Sequence, residues 1–129
     1  MSSSEIHSSR APAPVGLYPH ARRAGGLLFL SGIGPRRPGS DEIPDSFEEQ
    51  CRSVFANVRA VLEDAGARWE DLIDVTVFLT DMKRDFATYN RLYAEAFAGV
   101  RPCRTTVGIS ALPTPIAIEL KCIAEVRSK

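Results

Sequence analysis

The sequence has few cysteines, no apolar run long enough to span a membrane and no signal-peptide pattern at its start. Its three cysteines, Cys51, Cys103 and Cys122, are odd in number and include no Cys-x-x-Cys pair. A disulfide framework is therefore not expected, and a reducing compartment is. The longest apolar run, residues 26–30, is far too short to cross a bilayer, and residues 1–5 contain no apolar core of a signal peptide. These absences favour a cytoplasmic location.

The chain also lacks net charge, because 16 Lys and Arg residues balance 16 Asp and Glu residues. This balance argues against a nucleic-acid-binding protein that depends on bulk attraction to phosphates. The basic pairs at residues 22–23 and 36–37 are too sparse for a polyanion groove, although they could serve one small anionic ligand. No His, Cys and Asp cluster has the spacing of a metal site. We therefore expect no metal, and neither nucleic acid nor membrane as a partner.

The composition is that of one globular domain. With 129 residues, of which 44% are hydrophobic and 25% charged, the chain is large enough to bury a core without disulfides or metals. Residues 1–14 are rich in Ser, Pro and Ala, which predicts a flexible or surface-laid arm. Residues 15–129 then form a single domain.

Apolar periodicity predicts five strands and two helices in this domain. The strands are expected at residues 17–23, 27–31, 73–79, 105–109 and 116–126. The first is expected at a sheet edge and the second buried on both faces, with a Gly25-Gly26 turn between them. Asp45 is the predicted N-cap of the first helix and Gly66 its C-terminal cap, and the second helix is expected at residues 85–97. The order β-β-α-β-α-β-β predicts an α+β fold with one mixed sheet and two helices on one face.

The last predicted strand has one apolar face and one mixed face. Alternation places Ile118, Leu120 and Cys122 on the apolar side, and Glu119 and Lys121 on the other. Two helices cover only one side of a sheet, so we expect the second side to meet another subunit. A closed ring of identical subunits would place Glu119 near a subunit boundary.

Two charged residues stand out as candidates for chemistry. Arg104 follows Pro102 at the start of a β-branched strand, where a planar guanidinium can receive a substrate carboxylate. Glu119 lies within an otherwise apolar strand, and a carboxylate held partly out of water can shuttle protons. Taken singly, an arginine after a helix is more often a surface residue, and a strand glutamate more often lies on a solvated face.

Several segments together resemble the Rid family, the YjgF-type reactive-intermediate deaminases, over residues 12–127. They are Gly16-Leu-Tyr18-Pro, Phe29-Leu-Ser31-Gly32, Asn57-Val-Arg-Ala-Val-Leu-Glu-Asp-Ala-Gly66, Asp74-Val-Thr-Val-Phe-Leu-Thr-Asp81-Met, Pro102-Cys-Arg104 and Glu119-Leu-Lys-Cys-Ile-Ala124. The resemblance implies a chorismate-mutase-like fold and a homotrimer with active sites in the clefts between subunits. It also implies a hydrolase that converts enamine or imine acids to 2-oxo acids and ammonia, a reaction that needs no organic cofactor.

The resemblance assigns roles to individual residues. Arg104 would clamp the substrate carboxylate, and Glu119 would place or activate water. The expected substrate-binding residues are Tyr18, Ser31, Gly32, Asn90 and Thr106. For Tyr18 and Asn90 the alternatives are packing and helix capping. Thr106 stands where the typical family member has a cysteine, so no thiol role is expected.

Other segments resemble the 2-aminomuconate deaminases of aromatic and tryptophan catabolism. They are residues 18–23, 31–36, 104–107 and 112–119. A dicarboxylate substrate needs a second cation, for which we name Arg36, in the long Gly- and Pro-rich loop, and His20. The alternatives are a solvated loop for Arg36 and a hydrogen-bonded structural imidazole for His20. Two other functions stay open, a generic 2-iminobutanoate or 2-iminopropanoate deaminase and a non-catalytic Rid-like binding or regulatory protein.

Overall fold

The computed structural model describes residues 4–126 and contains six strands, two α-helices and one short 3-10 helix. In chain order these are β1 (Glu5–Ile6), β2 (Ala21–Ala24), β3 (Leu27–Leu30), α1 (Phe47–Asp64), the 3-10 helix (Trp69–Asp71), β4 (Leu72–Leu79), α2 (Met82–Ala96), β5 (Cys103–Gly108) and β6 (Ile118–Glu125). The first three residues of the predicted arm and the last three of the predicted domain lie outside the described residues. Within residues 4–126, neither helix combines the length and hydrophobicity needed to cross a bilayer.

The strands form one six-stranded sheet in the order β1-β2-β3-β6-β4-β5. Only the β4–β5 pair is parallel, and the other neighbours are antiparallel. Helices α1 and α2 pack against each other, α1 on β6 and α2 on β4. The predicted α+β fold with a mixed sheet and two helices is confirmed, with β1 as an additional strand before the predicted order.

Strand β6 divides the two sides of the sheet as alternation predicts. Ile118, Leu120 and Cys122 are fully buried beneath the helices. Glu119 and Lys121 face the other side and are only partly buried. Within residues 4–126 no helix covers this second side, which we call the open face.

Both helices begin one to three residues away from their predicted starts. The N-cap of α1 is Ser46, whose hydroxyl accepts from the Glu49 N–H, so the Asp45 prediction is wrong by one residue. Ser and Asp cap helices about equally well, which is why adjacent candidates are hard to separate. Gly66 follows α1 with φ +82°, as its predicted capping role requires. Helix α2 starts at residue 82, after its N-cap Asp81.

Two residues of the N-terminal segment form an edge strand of the sheet. Residues 5–6 pair with β2, and the predicted edge strand is therefore an interior one. Strand β2 starts at residue 21 rather than at the predicted residue 17, and Leu17 is fully exposed in the loop before it. Strand β3 is not buried on both faces in the single chain, since Leu28 and Leu30 are buried while Phe29 is 37% exposed on the open face.

Candidate functional site

Arg104 lies on β5 and projects to the helix side of the sheet. Its register partner on β4 is Val75, which is fully buried under the helices. The guanidinium donates from Nη1 to Oδ1 of Asn90 on α2 at 2.9 Å, and it lies 4.7 Å from the ring centroid of Tyr93. Its remaining N–H groups make no hydrogen bond within residues 4–126. The half-buried cation is therefore held in place by α2 while part of its fork is available to an anion.

An open groove of about 570 Å³ runs between α2 and the edge strand β5 beside this guanidinium. Its lining residues are Met82, Lys83, Phe86, Ala87, Arg104 and Thr106. The volume falls within the range of small-molecule sites. Its walls combine apolar side chains with two cationic ones, a combination that suits an organic acid.

Three buried hydroxyl groups near Arg104 have no hydrogen-bond partner within residues 4–126. They belong to Thr106, Tyr89 and Tyr93. Burial raises the pKa of both tyrosines, and the nearby Arg104 only partly offsets the effect, so both phenols remain protonated at neutral pH. A buried hydroxyl without a partner costs about 1–3 kcal/mol. A ligand or water that bonded these groups would remove that cost.

Glu119 occupies the open face of β6. Burial raises the pKa of its carboxyl group above the ordinary value of 4.5. Gly32 lies directly against it, since a Cβ on Gly32 would stand 2.8 Å from the Glu119 Cδ. Within residues 4–126 the carboxylate accepts no hydrogen bond from the protein, so it is free to bond a water or a substrate.

A small cavity of about 30 Å³, enough for roughly one water, adjoins Gly32. The cavity is lined by further predicted site residues, namely Tyr18, His20, Ser31, Gly32 and Arg36. The Ser31 hydroxyl donates to the Pro19 carbonyl at 2.7 Å, and the Tyr18 hydroxyl accepts from the Val15 N–H at 3.3 Å. The cavity and Glu119 together form one cluster, which we call the Glu119 cluster.

The His20 side chain has a structural role, because both of its ring nitrogens form hydrogen bonds within the chain. Its Nδ1 accepts from the Ser8 N–H at 3.0 Å, so the ring proton resides on Nε2, which donates to the Pro12 carbonyl at 2.8 Å. The imidazole is 5% exposed. This is the structural role named above as the alternative, and the sequence could not reveal it because both partners lie in the predicted arm.

Arg36 is also engaged within the chain. One guanidinium nitrogen pairs with Asp41 at 2.7 Å, and another donates to the Ala13 carbonyl at 2.6 Å. Its side chain is 16% exposed, so it is not the solvated loop residue of the alternative. Arg36 therefore connects the long loop to the N-terminal segment.

The predicted catalytic pair does not meet within one chain. Arg104 aligns with Val75, whereas Glu119 aligns with Phe78, three residues along β4 and on the opposite side of the sheet. The offset is about 10 Å along the strands and about 10 Å across two strand spacings. The predicted residues therefore form two groups, Arg104, Asn90 and Thr106 on the helix side and the Glu119 cluster around the open face.

The sequence did not predict that aromatic residues of α2 surround Arg104. Phe86, Tyr89 and Tyr93 have ring centroids 4.7–5.9 Å from the guanidinium carbon. A signal was available for two of them, because Phe86 lies four residues before Asn90 and Tyr93 three residues after it. Lys83, three residues before Phe86, was missed for a different reason, since exposed lysines are common on any helix.

The fold is that of a small α+β protein with one mixed sheet and two helices, and the two residue groups lie on opposite sides of that sheet. The solved structure of TdcF from E. coli with bound serine superposes with a TM-score of 0.90 at 37% identity, covering 96% of this chain and 98% of that chain.

Family membership follows from the sequence comparisons. A family model described as Endoribonuclease L-PSP matches residues 8–126, so the chain belongs to this family. A RutC family protein of Pyrococcus horikoshii is 42% identical over 92% of this chain and 94% of its own length. The chloroplastic Reactive Intermediate Deaminase A of Arabidopsis thaliana is 35% identical over 92% of this chain and 64% of its own length. The Rid-family resemblance is confirmed, and the narrower resemblance to 2-aminomuconate deaminases stays a prediction.

Proposed function

We propose that this protein is a deaminase that hydrolyses the enamine or imine form of an amino acid to the 2-oxo acid and ammonia. The observation that carries the proposal is the Arg104 guanidinium, fixed by Asn90 and by aromatic rings at the side of an open groove. A guanidinium held in this position can bind the substrate carboxylate that lies next to the reacting carbon. The name of the Arabidopsis relative, a reactive intermediate deaminase, supports the same chemistry.

The proposed reaction consumes one water and releases one ammonia. Protonation of the enamine at C3 gives an iminium ion, water adds to C2, and the C2–N bond of the resulting carbinolamine breaks. Ammonia leaves with the bonding electron pair, and a 2-oxo acid remains. Glu119 would accept a proton from the attacking water and pass it to the leaving nitrogen, and its raised pKa suits both tasks. The electrophile is intrinsic to the substrate, so the protein supplies only orientation and proton transfer.

The two residue groups would form one site only if two copies of the chain meet. We infer a homotrimer in which the Arg104 groove of one subunit faces the Glu119 cluster of the next. The number of subunits is what the Rid-family resemblance implies, and three observations support contact between copies on the open face. The open face lacks a cover in the single chain, Phe29 is exposed on it, and Leu17 is fully exposed beside the Glu119 cluster. Glu119 is also partly desolvated and accepts no hydrogen bond within residues 4–126, as expected for a residue that binds a ligand at a subunit boundary.

The narrower proposal is that the substrate is 2-aminomuconate, an enamine with a carboxylate at each end. The residue segments shared with that branch support it, including Arg104-Thr-Thr-Val107. Neither His20 nor Arg36 is proposed as the second cation, because both are engaged within the chain. Enzymes that act on ring-cleavage products would then supply the substrate.

Replacement of Arg104 by alanine tests the proposed function. Losing a charge-assisted anchor for a carboxylate costs about 2–5 kcal/mol, so kcat/KM should fall by about two orders of magnitude or more. The assay follows release of ammonia from enamines generated in solution, one derived from a monocarboxylic acid and one from a dicarboxylic acid. Turnover of the dicarboxylic enamine supports the narrower proposal, and turnover of only the other one contradicts it.

One further variant and two outcomes that would contradict the proposal complete this test. Arg104→Lys keeps the charge but loses the planar fork, and it should recover only part of the activity. Unchanged deamination by the Arg104→Ala variant would contradict the enzyme proposal. Binding of organic acids by the wild type without any turnover would instead favour a non-catalytic binding protein.

A further inference from the structure

The groove beside Arg104 contains a second cation, the ammonium group of Lys83. We propose that Lys83 binds the far carboxylate of a dicarboxylic enamine whose near carboxylate is held by Arg104. Lys83 is thus a specificity-determining residue for diacids over monoacids. This inference rests on the proposed function, since it names the substrate class of the same groove.

The spacing along α2 fits a substrate with two charged ends. Lys83, Ala87 and Asn90 follow one another at intervals of four and three residues, so they lie along one stripe of the helix. The axial distance from Lys83 to Asn90, which anchors Arg104, is roughly 10 Å. The flexible stem of lysine can shorten that distance, so the two cations can grip the ends of a linear diacid of about six carbons.

The charges around Lys83 leave its ammonium group available. The neighbouring carboxylates Asp81 and Asp85 both face Arg84, which approaches them at 3.8 Å and 2.8 Å. Asp85 is held at both oxygens by the Arg84 guanidinium. Lys83 itself is exposed and makes no hydrogen bond or ion pair within residues 4–126. An incoming carboxylate therefore need not displace an existing partner.

The surface between the two cations matches the middle of a diacid. Met82, Phe86 and Ala87 line it, and they present an apolar surface to a hydrocarbon chain. The unpartnered Thr106 hydroxyl also lines the groove. The groove is thus charged at both ends and apolar between them, whereas a monocarboxylic substrate would leave Lys83 without a partner.

Binding of two stable acids tests the proposal without requiring turnover. Isothermal titration calorimetry would measure the Kd of adipate and of butanoate for the wild type, Lys83→Gln and Lys83→Arg. We expect the wild type to prefer adipate, and Lys83→Gln to reduce that preference by about fivefold, the upper end for an exposed ion pair. Lys83→Arg should retain the preference. Arg52→Gln removes the same charge from the exposed side of α1, where Arg52 pairs with Glu48 and Glu49, and should leave both affinities unchanged.

The outcomes separate this inference from the proposed function. An equal preference for adipate in the wild type and in Lys83→Gln would overturn the role of Lys83. So would a wild type that shows no preference for the diacid. If Lys83→Gln loses the preference but the wild type deaminates no enamine, the role of Lys83 stands as an acid-binding one and the proposed deaminase activity fails.

Discussion

The surroundings of Arg104 and of Glu119 suit the two residues to different roles. The first is a permanent cation kept in position by Asn90 and by the ring of Tyr93. The second is a carboxyl group whose pKa is raised by burial. One residue is thus organised to bind charge and the other to exchange a proton.

The raised pKa of Glu119 predicts a pH-dependent effect on stability. The folded chain keeps this proton at pH values where the unfolded chain has already lost it, so the contribution of Glu119 to stability falls as pH rises from its ordinary pKa of 4.5 through the higher folded value. Glu119→Gln cannot ionise. The variant should therefore be more stable than the wild type at pH 7, and the two should be equally stable near pH 4.

Denaturant unfolding followed by circular dichroism at both pH values provides the measurement. Glu63→Gln is a matched control, because Glu63 is an exposed carboxylate paired with Arg10 on the outer surface. It should not gain stability at pH 7. A Glu119→Gln variant that is less stable than the wild type at pH 7 would mean that the ionised carboxylate has a stabilising partner.

At the residue level, the sequence singled out Arg104 and Glu119, but it did not reveal the hydrogen-bond partners of the other candidates. Arg104 and Glu119 were chosen as unusual charges in apolar strands, and both lie where a ligand can reach them. His20 and Arg36 were chosen because a second cation was needed, yet each bonds to backbone or side-chain groups far away in sequence or in another loop. A sequence pattern does not reveal which partners a polar side chain already has.

At the element level, the junction after β3 depends on the absence of a side chain at Gly32. Its backbone continues β3 toward Ile33, which forms a bridge with Leu120 of β6. Glu119, next to Leu120, therefore packs directly on the Gly32 backbone. The close approach between Gly32 and Glu119 therefore limits the directions in which the Glu119 carboxylate can point.

Gly32→Ala should displace Glu119 and lower kcat by about tenfold or more, since misplacement of a catalytic group by about 1 Å can cost two orders of magnitude. Steady-state deamination kinetics would measure the loss. Gly26→Ala is the control, because a Cβ at Gly26 meets nothing within 4 Å, and it should leave kcat unchanged. Full activity in Gly32→Ala would show that the position of Glu119 is not critical.

Most elements were predictable because their periodicity is strong. Both helices and strands β3 to β6 appear near their predicted positions, where apolar residues repeat at helical or alternating intervals. Strand β1 was not predictable, since only residues 5–6 pair with β2 and two residues carry no periodic signal. The exposed Leu17 misled the prediction of β2, because its hydrophobicity suggested a strand that the loop does not form.

At the scale of the whole molecule, the sheet separates the two halves of the proposed site. The groove between α2 and β5 holds the cation, and the open face holds the Glu119 cluster. A single chain thus contains every proposed catalytic residue but places the two key residues on opposite sides. The sequence indicated a subunit boundary near Glu119, but only the strand register reveals that Arg104 lies on the other side.

Subunit complementation is the most direct test of the central claim that Arg104 of one copy works with Glu119 of another. Arg104→Ala and Glu119→Gln are each expected to be nearly inactive alone. Denatured together in equal amounts and refolded, they should form mixed rings in which about a quarter of the sites combine an intact Arg104 with an intact Glu119. The double variant mixed with either single variant serves as the control and should stay inactive. Recovery of about a quarter of the wild-type deaminase activity in the mixture is the predicted result, and a mixture no more active than its separate components would contradict the account.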